Sequence, residues 1–230
     1  MPLLPPSYIT DAGIQGAPLK YKWSEDIGLK FYASKDANPR LLTALEAVSF
    51  RGAMSLGVAI TEWGIWRLAG HGDVTDALER VEAAWVCALE TASVKDLKFT
   101  FSEEENQIQG PLEIFLVVLG ELCTRYSKTS IYIVGSVIRQ AQLVRYIVPD
   151  KAVFDDWLST SLRKAAKTFP RKPTYDRKKG VFDPSAESPV PREFFEPGFV
   201  YSEEASKAAI RAFLKTLDPK KNPYLRTIKK

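Results

Sequence analysis

The chain has 230 residues, 45% hydrophobic and 26% charged, a balance that suits a folded core and excludes disordered and fibrous classes. Two cysteines, Cys87 and Cys123, are too few for a disulfide framework. The formal charge of +4 hides an asymmetry: residues 1–162 carry 15 Lys and Arg against 20 Asp and Glu, whereas residues 163–230 carry 17 against 8.

Residues 1–38 are rich in Pro, Gly and turn formers, and read as an irregular N-terminal segment. Its aromatic runs Lys20–Trp23 and Leu29–Tyr32 suit either a small hairpin or extended chain laid over helices. Met1–Pro6 shows no basic stretch leading into an apolar one, so no export signal is expected and a cytoplasmic location follows. A helical core is predicted over 39–169. Pro39 fits a first helical turn after Asn38 as cap, and Leu41, Leu42, Leu45 and Val48 follow at helical spacing. The pattern runs on through Met54, Val58, Trp63 and Leu68, with a bend expected near Ser49–Gly52 and an end at Gly70-His71-Gly72.

Asp73 or Thr75 caps a second helix to about Thr91, with Leu78, Val81, Ala84, Trp85 and Leu89 on its apolar face. After a polar loop, Gly110-Pro111 opens a third helix to about Tyr126. Ser130 caps a fourth that ends before Pro149. Its β-branched run would also suit a buried strand, but its length and its Arg139 and Arg145 favour helix. Asp150 opens a fifth, through Phe154, Trp157, Leu158 and Leu162, ending before Pro170. Residues 170–201 form a long Pro-rich basic loop, wrapped on the surface or partly disordered. Residues 202–230 hold a last helix, capped by Ser202 and ended by Pro219, packed on the core with its tail. The fold class is all-α: a single helical bundle with irregular ends. No apolar run is long and uncharged enough to span a bilayer, so no membrane partner is expected.

Catalytic and metal-ligating groups are sparse. His71, the only histidine, sits between two glycines without an evident partner for proton transfer. No Cys/His spacing of a metal site occurs, and the Glu-x-x-His element of di-metal bundles is missing. No phosphate loop or nucleophile elbow is present. Cys87 and Cys123 lie in apolar helical patterns, which raise thiol pKa and suppress reactivity. No catalytic residue, metal or cofactor is expected, although Glu62, Glu79, Glu82, Glu113 and Glu121 leave a carboxylate-based enzyme as an alternative. Glu62, Trp63, Arg67, Glu82 and Trp85 read as structural: carboxylates satisfied by Arg67, Arg51 or indole N–H groups, by pairing across helices.

Two charged stretches remain. Arg163–Lys179 holds eight Lys or Arg with Phe169 and Tyr175 interleaved. That composition can track a phosphate backbone, so a nucleic-acid-binding or scaffold protein is a further alternative. Overall basicity is modest, however, and nucleic acid is not the expected partner. Asp73–Glu105 holds nine Asp or Glu against three Lys or Arg; it reads as a solvated face or as a surface that docks a basic protein.

The run Arg51-Gly-Ala-Met-Ser-Leu-Gly-Val-Ala-Ile-Thr-Glu62-Trp63, with Trp66-Arg67-Leu68 and Val81-Glu82-Ala-Ala-Trp85, resembles a group of mostly helical bacterial proteins. Val190-Pro-Arg-Glu-Phe-Phe-Glu-Pro197 and Leu217-Asp-Pro-Lys-Lys-Asn-Pro-Tyr-Leu225 extend the resemblance. Members are commonly encoded beside toxins of the type VI secretion system. The resemblance implies an immunity protein, a non-enzymatic antitoxin that neutralises a cognate toxin by direct binding. Without an export signal, that toxin would act in the cytoplasm, for instance as a nuclease. Toxin contact is then expected from Asp73, Asp76, Glu79, Glu103, Glu104 and Glu105. The oligomeric state is left open.

Overall fold

The computed structural model describes residues 3–33, 38–101, 106–173 and 175–226. The helices are α1 (Ser7–Thr10), α2 (Glu25–Tyr32), α3 (Pro39–Glu46), α4 (Phe50–Leu68), α5 (Thr75–Leu89), α6 (Gln109–Ser127), α7 (Val134–Ile147), α8 (Lys151–Thr168) and α9 (Glu203–Thr216). A two-stranded antiparallel hairpin, β1 (Tyr175–Asp176) and β2 (Val181–Phe182), accompanies them. The protein is thus mostly helical but not purely all-α.

The architecture follows from α4. Every residue of this helix except Arg51 is buried, and a helix apolar nearly all round must be wrapped by others. Here α5, α6 and α7 surround it. Glycine allows the close approach: a methyl group at Gly57 would sit 2.7 Å from Leu122 of α6, and one at Gly64 would overlap the Phe115 ring.

Helix starts obey the local signals. Asn38 accepts from Leu41 N at 3.1 Å with Pro39 in the first turn, Asp150 accepts from Ala152 N at 2.8 Å, and Ser202 accepts from Ala205 N at 3.0 Å. The expected bend near Ser49 is instead a break between α3 and α4. Ser49 takes extended dihedrals as the cap of α4, accepting from Gly52 N. Its own N–H goes to Phe169 O at 2.8 Å, while Arg171 donates to Leu45 O and Val48 O at 3.0 and 2.7 Å. Tertiary groups thus claim the carbonyls that a continuous helix would use. Ser130 caps a short 3-10 turn, Ile131–Ile133, before α7.

Two further expectations are corrected. Residues 1–38 are not simply irregular, and the aromatic run at Leu29–Tyr32 belongs to α2, not to a hairpin or extended chain. Residues 170–201 hold the β1–β2 hairpin and two 3-10 turns, Pro184–Ala186 and Arg192–Phe195. The hairpin folds inward: Phe182 stacks on Phe50 at 4.5 Å, and Phe182 N donates to Thr129 O. Among the described residues no helix is long and apolar enough to cross a membrane.

Candidate functional site

Glu62, in the middle of α4, is fully buried. A buried carboxylate needs a counter-charge, and it comes from the far end of the chain. Arg192, on the 3-10 turn at 192–195, donates Nε to Glu62 Oε1 at 3.0 Å and Nη2 to the same oxygen at 2.7 Å. Nη2 also reaches Leu4 O at 2.6 Å. Tyr8 approaches the second carboxylate oxygen at 3.4 Å. Burial raises the Glu62 pKa, opposed by the charge and hydrogen bonds of Arg192; Trp85 and Tyr8 also favour the charged form. Trp85 Nε1 does so without reaching hydrogen-bond geometry. Burial disfavours the Arg192 charge, but Glu62 outweighs it and the net shift is upward. Glu196, on the same strap, accepts from Ser7 N at 3.1 Å at the start of α1.

Arg67, in the last turn of α4, does not pair with Glu62. It donates Nε to Ile147 O at 3.1 Å, Nη1 to Ala17 O at 2.6 Å and to Ile14 O at 3.2 Å, and Nη2 to Pro18 O at 2.9 Å. The guanidinium therefore ties the N-terminal segment and α7 to the core. His71 Nε2 lies 2.9 Å from Ala17 O and 3.2 Å from Arg67 Nη1, and the ring tautomer decides which of the two it bonds. Trp63 is buried against Phe154 and Trp157, and Trp85 sits beside Phe195.

A second buried carboxylate, Glu187, accepts from Phe50 N at 3.0 Å and Arg51 N at 2.7 Å, which places a negative charge on the N-terminus of the central helix. Arg192 lies in the Val190–Pro197 run that carries the resemblance, but neither its pairing with Glu62 nor the role of Glu187 shows in the sequence. Their partners lie 130 and 137 positions away, and no periodicity links them. Cys87 and Cys123 are free, buried neighbours on α5 and α6. Their mutual contact pulls the Cys87 thiol down and, with burial, pushes Cys123 well up. Cys87 thus departs from the raised value expected of apolar surroundings.

The acidic start of α5 is partly consumed by folding. Asp73 accepts from Thr75 N and Oγ1 at 2.9 and 2.6 Å. Asp76 holds Arg80 at 2.8 Å and the Tyr224 hydroxyl. Arg80 in turn lies over the Tyr224 ring at 4.2 Å, and burial with Asp76 pushes the Tyr224 pKa up to about 12. Asn222 donates to Glu79 O and to Glu82 Oε2, each at 2.8 Å. These contacts lay residues 218–225 along α5 and leave a cleft of about 280 Å³ between them. Glu79, Glu82 and Asp218 line it with Leu3 and Leu78. Glu103, Glu104 and Glu105 lie outside the described residues.

The basic stretch does not form one face. Lys164 donates to Phe194 O and Phe199 O at 2.8 Å each, and Arg171 stacks 3.8 Å from the Phe50 ring centre. Arg177, Lys178 and Lys179 are displayed at the hairpin turn beside the exposed Tyr132. Of the helical carboxylates, Glu121 meets Arg139, and Glu113 accepts from Gln109 at 3.0 Å. Among the described residues no three Asp, Glu, His or Cys side chains converge so as to hold a metal ion. No protein-family model, curated protein or solved structure matches the chain.

Proposed function

We propose that this protein is a non-catalytic binder in the cytoplasm that neutralises a cognate, nucleic-acid-acting bacterial toxin by covering its surface. The observation that carries the reading is the preformed acidic cleft between α5 and residues 218–222. Proteins that act on nucleic acid present basic surfaces, and a fixed acidic concavity complements them in charge and shape. The surrounding scaffold supports it. Glu62, Arg67 and Asn222 spend their hydrogen bonds inside the fold, so the cleft is held before any partner arrives.

The test is co-expression with the product of the neighbouring gene. A one-to-one or higher complex stable through size-exclusion chromatography, together with rescue of growth, supports the binder. Neither complex nor rescue overturns it. A second reading comes from the hairpin: the Arg177–Lys179 turn adjoins the α6–α7 turn through Ile131 N to Gly180 O at 3.0 Å, which sets Gly180, next to these cations, beside Tyr132. Nucleic-acid binding there predicts salt-dependent retention on RNA or DNA that is lost when the three basic residues become serine.

A further inference from the structure

The cleft beside α5 has a chemistry more specific than a negative surface. Glu82 is only 9% exposed, yet the one hydrogen bond drawn to its carboxylate comes from a neutral amide, that of Asn222. Among the described residues no Lys or Arg lies within ion-pair distance of Glu82 or Glu79, in contrast to Glu62 with its arginine. A largely buried carboxylate without a counter-ion is costly. The site's own cation, Lys221, is an exposed side chain 3.9 Å from Asp218. Leu78, Glu79 and Glu82 of α5 line the cleft together with Leu3 and Asp218.

We propose that this cleft is the docking pocket for an arginine side chain of a protein partner. The proposal rests on the binder reading and deepens it. A cleft lined by both carboxylates and leucines suits a planar, multi-donor guanidinium on a methylene stem, which pairs two oxygens at once and lays its stem on leucine. It suits a compact metal ion poorly, because the ligands do not converge. Burial, with Asp76 and Glu82 nearby, holds the Glu79 pKa above its ordinary value; a bound cation relieves that repulsion. The cleft between α1 and α8 is different, because Lys164 already supplies a cation there, over the Phe194 ring at 4.7 Å. An inserted arginine in a desolvated pocket is the usual form of an interface anchor.

The test uses the full chain, isotope-labelled, titrated with a blocked Gly-Arg-Gly peptide and followed through the backbone amides of the α5 start and of residues 218–222. Saturable shifts confined to those amides are expected. The citrulline peptide, equal in shape but neutral, should give none. Glu79→Gln, on the open side of the cleft, should weaken binding roughly tenfold without changing the fold, and Glu82→Gln should abolish it. Equal shifts with citrulline, no saturation with arginine, or an unchanged affinity in Glu79→Gln would overturn the proposal. A partner complex that forms equally well with wild type and both variants would sink the pocket and leave the binder standing. Failure of any complex sinks the binder, whatever the peptide does.

Discussion

Replacing Arg192 with alanine should be among the most damaging single changes in this molecule. Glu62 is fully buried and Arg192 nearly so, with side-chain exposures of 0% and 18%, so solvent screening discounts little of their interaction. Removing the guanidinium deletes three hydrogen bonds to Glu62, two on Oε1 and one on Oε2, and the one to Leu4 O, leaving only the 3.4 Å contact of Tyr8. Breaking a buried pair from one side costs about 3–5 kcal/mol. That is a large part of a typical total of about 5–15 kcal/mol, and it equals a fall of roughly 6–20 °C in Tm for a chain this long. The cost depends on pH with a definite sign. Without Arg192 the Glu62 pKa climbs further above its ordinary 4.5, so the folded state holds a proton that the unfolded state has released. Stability of the variant then falls as pH rises through the window above 4.5, and its deficit against wild type shrinks as pH drops toward that value. Urea unfolding from pH 4 to 8 measures both. Restoring neutrality with Glu62→Gln in the Arg192→Ala background should recover at least about 1 kcal/mol at pH 7, the desolvation cost of the orphaned charge. A deficit under about 1 kcal/mol that is flat with pH would refute the account of Glu62 as a buried charge held by Arg192.

Other changes probe other joints. Gly64→Ala should cost about 1–3 kcal/mol by forcing a methyl into the Phe115 ring, read as a lower urea midpoint with an unchanged slope. Glu187→Ala should cost about 2 kcal/mol because two amides at the start of α4 lose a charged acceptor; equal thermal midpoints would disprove the cap. Arg67→Lys keeps the charge but offers one nitrogen in place of the three that now bond carbonyls, so limited proteolysis should open residues 10–20 before the helices. Cys87 and Cys123 should resist a thiol reagent in the native state and both react within seconds in urea; rapid native labelling of Cys87 would show the site to be open.

Local signals account for much of the helical frame. Asn38-Pro39, Asp150 and Ser202 declare helix starts through hydrogen bonds made within three residues, and these are readable from adjacent letters. α2 was not readable in this way. Its aromatics mimic a strand, and what makes it a helix is its seat on α6 and α7, where Gly28 and Gly110 admit the Trp23 indole. The break before α4 escaped for the same reason, since Phe169 and Arg171 enforce it from more than a hundred positions away. At the acidic face, composition pointed to Asp73, Asp76 and Glu79 alike, but geometry separates them. The first is not the expected cap, a place that Val74 takes without a side-chain bond, but closes a turn onto Thr75; the second holds Arg80 and Tyr224, and only Glu79 turns to the cleft. Asp218 and Asn222, which complete that cleft, belong to a stretch whose sequence reads as a tail.

The wiring of Glu62 also sets a timetable. Its counter-ion is encoded 130 positions downstream, so at about 5–20 residues per second the ribosome delivers Arg192 roughly 6–26 s after Glu62. Throughout that interval α4 can be synthesised and solvated but not sealed, and an acidic residue stands in the seam where its neighbours must close. The final closure of the interior therefore waits on the strap, and translation that stalls between α8 and residue 192 strands a chain with its apolar centre ajar.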